Sequence, residues 1–170
     1  MADNNVDLQY QVLAVVQNFI INHLALPAEW DESLSPTNVM IVDEEGPIPE
    51  FRTHTYIQVF DAVGTQGIFQ GGGNMALEWE IGVSIRKGFM IDAPYRTIYA
   101  NQQLRQVSWS LYQVLNLQYV MDPSRLLIPE PLHLSNISRP KKTKGKSVPI
   151  ELMMVHRYKH RLFSPWQAVA

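Results

Sequence analysis

The chain has no cysteine, which excludes a disulfide framework, thiolate metal ligands and redox chemistry on protein thiols, and fits synthesis in a reducing cytoplasm. Long apolar runs are missing too. The longest uninterrupted hydrophobic stretch is a few residues, against the roughly 20 that a membrane-spanning helix needs. The start Met1-Ala2-Asp3-Asn4-Asn5 lacks the positive charge and small-residue cleavage site of a secretory signal. We therefore expect a soluble protein, neither exported by a standard signal nor associated with a membrane. Net charge is also small. The value of −2 conceals two local poles, because five of fourteen Lys and Arg fall within Arg139 to Lys146 while Asp43 to Glu50 carries four acids.

What is present is a strong packing pattern. With 170 residues, 46% of them hydrophobic, the chain suits one domain, residues 1–170, that buries a core without staples. In Leu77-Glu78-Trp79-Glu80-Ile81-Gly82-Val83-Ser84-Ile85-Arg86 the odd positions are apolar and the even ones polar or glycine, the period of a half-buried strand. Asp92 and Pro94 then signal a helix start, and Ala100, Leu104, Val107, Leu111, Val114 and Leu115 recur at helical spacing. A first helix is expected from about Asn5 to Leu24, stopped by Pro27, and Pro27 to Asn38 reads as a connection. Val39 to Val42 and Phe51 to Phe60 read as strands. Asp61 to Asn74, with Gly64, Gly67 and Gly71-Gly72-Gly73, reads as a long hairpin arm. After Pro123, Pro129 and Pro131, Leu126 to Ile128 is at most a brief extended piece. Leu132 to Ser138 and Val148 to Arg161 read as strands joined by a basic loop, residues 139–147, with Val148, Ile150, Leu152 and Met154 on one face. The expected fold is α+β: an antiparallel or mixed sheet with two main helices on one face and a long arm.

Chemistry is harder to find. The glycine triplet runs into a strand, whereas a phosphate loop needs a helix directly after it and a Lys-Ser/Thr or GxGxxG spacing. His156 and His160 sit four apart, but Arg157-Tyr158-Lys159 lies between them and would repel a metal ion, so they read as a polar, partly exposed strand end. His23, His54 and His133 are isolated. Glu78 and Glu80 share a strand face, as acid–base pairs do and as any half-solvated strand does. None of Ser33, Ser84, Ser108 or Ser164 lies in a G-x-S-x-G elbow. No catalytic, cofactor or metal residue is assigned, and we expect no enzyme.

The polar signal that remains is the basic loop, extended by Arg157, Lys159 and Arg161 if the hairpin pairs as expected. Lys141, Lys142, Lys144 and Lys146 suit an acidic protein surface or phosphates, and Asp43, Glu44 and Glu45 offer a complementary surface on a neighbouring copy. Phe69 in the arm, Trp30 in the first connection and Trp166 near the carboxyl end fall outside the expected core, where they serve either contacts between copies or lids on the core.

The order of a long first helix, a sheet with an extended arm, a strand-to-helix step through Tyr99-Ala100-Asn101-Gln102-Gln103-Leu104-Arg105-Gln106-Val107 and Leu111, and closing strands resembles the tail terminator and neck proteins of tailed bacteriophages. The resemblance implies a virion structural protein forming a ring, usually a hexamer, between the tail tube protein and the head connector or head-closure protein, with DNA passing through it. It would be assembled in the bacterial host cytoplasm. Its interface residues would be Phe69 and Gly71, Gly72 and Gly73 in the arm, with Lys141, Lys142, Lys144 and Lys146 facing Asp43, Glu44 and Glu45. The alternative is a nucleic-acid-binding module using the basic 139–146 hairpin.

Overall fold

The computed structural model describes residues 8–43, 53–69, 75–90, 94–120, 128–144 and 150–164. Helix α1 (Leu8–His23) is followed by a 3-10 turn (Ala28–Trp30), β1 (Val39–Val42), β2 (Thr55–Asp61), β3 (Gln66–Phe69) and β4 (Met75–Phe89). Helix α2 (Pro94–Leu115), β5 (Ile128–Pro129), β6 (His133–Ile137), β7 (Lys141–Lys144) and β8 (Ile150–Ser164) complete the order. The fold is α+β, with one mixed sheet of eight strands among the described residues.

The sheet is organised by two long strands. β4 and β8 pair antiparallel over fifteen residues each, from Met75 opposite Ser164 to Phe89 opposite Ile150. β2 flanks β4 antiparallel, and β1 lies parallel to β2 at the edge. On the other side of β8, β5, β6 and β7 lie end to end as one interrupted edge strand, each antiparallel to it. Pro131 and Pro140 fall in the two gaps between these pieces, as expected for a residue that cannot donate to a ladder.

Both helices cover one face. α1 packs on β1 and β2, α2 packs on β8 and β4, and the helices touch each other. The core between them holds Val12, Val16 and Ile20 of α1, Leu104, Val107 and Leu111 of α2, and Ile57, Val59, Ile81, Val83 and Ile85 of the sheet. Gln17 of α1 donates to the Val39 carbonyl at 2.7 Å, fixing the helix on the β1 edge. Pro94 occupies the first position of α2, where its missing N–H costs no hydrogen bond.

Several expectations need correction. The centre of β4 is buried on both faces, since Gly82 and Ser84 are enclosed along with their apolar neighbours. Phe60 of β2 lies over Gly82, and a β-carbon there would collide with its ring. The basic stretch is not simply a loop, because Lys141–Lys144 form β7 against Met153, Leu152 and Glu151. Residues 145–149, including Lys146, lie outside the described residues. The segment read as an arm is partly strand too. β3 pairs with Met75–Glu78 of β4, whose far side carries β8 and then β5, so this end belongs to the sheet. Gly71, Gly72 and Gly73 lie outside the described residues, as do Glu44, Glu45 and Trp166.

Candidate assembly surfaces

The charges of the chain are unevenly distributed along the sequence. Residues 1–51 contain nine acids and no Lys or Arg, leaving seven acids and all fourteen Lys and Arg in the remainder. Residues 8–43 supply α1, the 3-10 turn and the β1 edge, and β7, paired to β8, lies at the opposite edge. Val39, Ile57, Ile85 and Met154 lie on one line across the strands, with Lys141 beside Met153 at its end. Four strand spacings separate β1 from β7, about 19 Å. Asp43 directly follows β1 and is exposed; Lys141 and Lys142 are exposed on β7. The structure thus sets Asp43 at one edge and Lys141 and Lys142 at the other.

The helix-free face between these edges carries a ladder of charges. Glu78 stands opposite Arg161, and Glu80 opposite Lys159. Arg161 Nε donates to Glu78 Oε2, Lys159 Nζ lies 3.9 Å from Glu78 Oε1, and Arg157 lies 3.9 Å from Glu80. Ser135 of β6 also donates to Glu80, at 3.2 Å. This pairing holds the Arg161 guanidinium above its ordinary value, the Glu78 hydrogen bond outweighing partial burial. The expectation that Arg157, Lys159 and Arg161 enlarge a free basic patch is therefore corrected. Their charge faces two carboxylates, whereas Lys141 and Lys142 of β7 are exposed.

A second polar cluster ties the 27–38 connection to the sheet. Glu32 accepts from Thr55 N and Thr55 Oγ1, both at 2.6 Å, and from Lys87 Nζ at 2.9 Å, with His54 Nδ1 at 3.3 Å. Burial raises this carboxyl, but the Thr55 and Lys87 hydrogen bonds outweigh it, so the group ends below its ordinary value. Lys87 also donates to the Thr53 carbonyl and lies 4.9 Å over the Trp30 ring. Trp30 meets Phe89 edge-on at 5.8 Å and donates Nε1 to Gln103 at 3.0 Å. Of the two roles open to Trp30, the structure gives it the lid on the core. A polar depression of about 350 Å³ beside this cluster is lined by residues that include Glu32, Ser35, Asn38 and His54. Its walls hold two carboxylates, Asp31 and Glu32, and one imidazole; among the described residues no group of three or more His, Asp or Glu is placed to hold a metal.

The histidines of β8 correct another expectation. His156 and His160 are fully buried on the helix-facing side, not on a partly exposed strand end. His156 bridges Ser108 of α2, through Nε2, and the Tyr158 hydroxyl, 2.9 Å from Nδ1. A serine hydroxyl on an imidazole is the contact hydrolases use for nucleophilic attack. Here Ser108 is 2% exposed and His156 0%, so no substrate atom reaches the pair in this conformation. His160 packs edge-on against Trp79 at 4.6 Å, with neither ring nitrogen hydrogen-bonded among the described residues. Burial lowers both imidazoles to about 4 and raises the Tyr158 phenol, with Tyr112 adding to the latter.

Of the expected arm residues, Phe69 ends β3 opposite Met75, and Gln66 and Gly67 lie exposed on the same strand. Sequence reasoning missed Trp109. Its ring is 60% exposed and stacks on Tyr112 at 5.1 Å, on the side of α2 away from the sheet. The signal was available, because Trp109 falls between Val107 and Leu111 and so cannot share their face.

No protein-family model matches the chain, and no curated protein matches it.

Proposed function

We propose that this chain is a virion structural protein of a tailed phage, a tail terminator or neck component, and that it works by forming a homo-oligomeric ring rather than as an enzyme. The carrying observation is the charge polarity across the sheet. Lys141 and Lys142 at the β7 edge and Asp43 beside β1 at the opposite edge, with the two edges about 19 Å apart, are different and complementary surfaces. Contacts between unlike surfaces propagate head to tail and close into a ring when the rotation between copies divides a full turn, whereas a two-fold dimer requires one self-complementary patch. The resemblance in element order supplies the tailed-phage context, a hexameric ring and the two partners, the tail tube protein and the head connector. Such a ring acts in the virion after assembly in the bacterial cytoplasm.

Charge reversal tests this. Lys141→Glu combined with Lys142→Glu should abolish rings seen by electron microscopy of the purified protein, while the far-ultraviolet circular dichroism stays unchanged. Rings that persist in this variant would refute the role given to β7.

The exposed Lys141 and Lys142 also suit phosphates, the second reading. Binding to DNA that falls steeply between about 50 and 200 mM salt, from a protein that forms no rings, would favour it.

A further inference from the structure

The outward side of α2 has no role in the contacts described so far. Among the described residues of α2, the large apolar side chains of Ile98, Tyr99 and Trp109 are 57–63% exposed, and Leu117 and Tyr119 are exposed just past its end. Ile98, Gln102, Arg105, Trp109 and Gln113 recur at helical spacing, diametrically opposite the buried Ala100, Leu104, Val107 and Leu111. The helix contains no Asp, Glu or Lys. Exposed Trp, Tyr and Arg with few other charges is the composition of an interface centre, not of a solvated helix. Trp109 is also held in place by its stack on Tyr112, so little side-chain freedom remains to be lost on binding.

We infer that this face of α2 docks the acidic amino-terminal part of a second copy of the chain. The inference rests on the ring reading and names a contact within it. Charge selects the occupant. Arg105 sits near the middle of the helix, so antiparallel pairing of α2 with its own copy would set two guanidinium groups together with no carboxylate between them. The partner surface must therefore be a different one and carry acids, and among the described residues 8–43 expose the acids Glu29, Asp31 and Asp43 and hold no Lys or Arg. Exposed there are Tyr10 and Asn18 on α1 and Glu29 and Asp31 at the 3-10 turn. Size agrees with a contact of more than one part. A helix of 22 residues is about 33 Å long, a strip of roughly 350 Å², under half of the roughly 800 Å² per partner that a stable interface buries. The oppositely charged edges supply the remainder.

Trp109→Ala and Arg105→Glu alter exposed side chains, so the full chain should fold with unchanged circular dichroism. Sedimentation velocity should then place half-assembly at a concentration at least tenfold higher for each variant. The absence of native cysteine permits a second test by cross-linking with a short bis-maleimide. Copies carrying Gln113→Cys should couple to copies carrying Asn18→Cys, and Gln113→Cys alone should not couple to itself. Wild-type rings that are matched by the Trp109→Ala variant would overturn this inference and leave the ring reading standing. Self-coupling of Gln113→Cys would overturn the choice of occupant. A wild-type chain that stays monomeric at every concentration would overturn both.

Discussion

His156 and His160 lie in the core without a charged partner among the described residues, which makes acid the condition under which this fold is most vulnerable. Each imidazole is lowered to about 4 by burial, while an unfolded histidine titrates near 6.5. Below that value the unfolded chain binds more protons than the folded one. Stability is thus fully present above pH 6.5 and falls as pH drops toward 4, by about 3 kcal/mol per histidine. Glu32, held below its ordinary value, adds a loss in the same direction at still lower pH. Urea unfolding measured at pH 7, 5.5 and 4.5 should show the decline, and His160→Phe should flatten it by removing one of the two groups. Gly82 is the other exacting position. Because the Phe60 ring occupies the space of a β-carbon, Gly82→Ala should cost roughly 1–3 kcal/mol. Phe60→Leu in the same chain should recover part of that loss, which a double-mutant cycle in urea would measure.

At the scale of elements, the Glu32 carboxylate holds the 27–38 connection against β2 and β4 through Thr55 and Lys87. Glu32→Ala leaves Lys87 charged and 7% exposed, and should cost about 3 kcal/mol in chemical denaturation. β3 packs chiefly on β4, so deleting Thr65 to Gly73 should leave a folded monomer that cannot form rings. Rings in that variant would remove the arm from the interface. β4 and α2 were legible in the sequence because one face of each meets a single core, which leaves periods of two and of 3.6. Their ends and partners were less so. β7 was hidden because its Lys-rich edge has no apolar alternation to read. Trp30 was undecided because its contacts, Phe89 and Gln103, are distant in sequence. The burial of His156 and His160 was legible in principle, since they share strand parity with Leu152 and Met154 on the face assigned to the core. Side-chain type outweighed position in that expectation. No local spacing announces the Ser108–His156 contact, which depends on how α2 lies over β8.

For the molecule as a whole, the order of strands sets Asp43 at one edge of the sheet and Lys141 and Lys142 at the other, so that a contact between those edges on two copies would pair unlike charges. A contact of this kind, joined by the outward face of α2, combines exposed charges with an apolar centre. Added salt should weaken the first within a Debye length of about 8–10 Å and leave the second in place, so assembly should loosen with salt without disappearing. Phosphate binding by β7 alone would fall much more steeply. The most direct measurement is the mass of the purified protein in solution by light scattering, across a concentration series at low and high salt. The ring reading predicts one discrete oligomer, a hexamer of the 19.5 kDa chain, populated at low salt and shifted to higher concentration at high salt. A monomer across the whole series, or a two-fold dimer that grows no further, would contradict it.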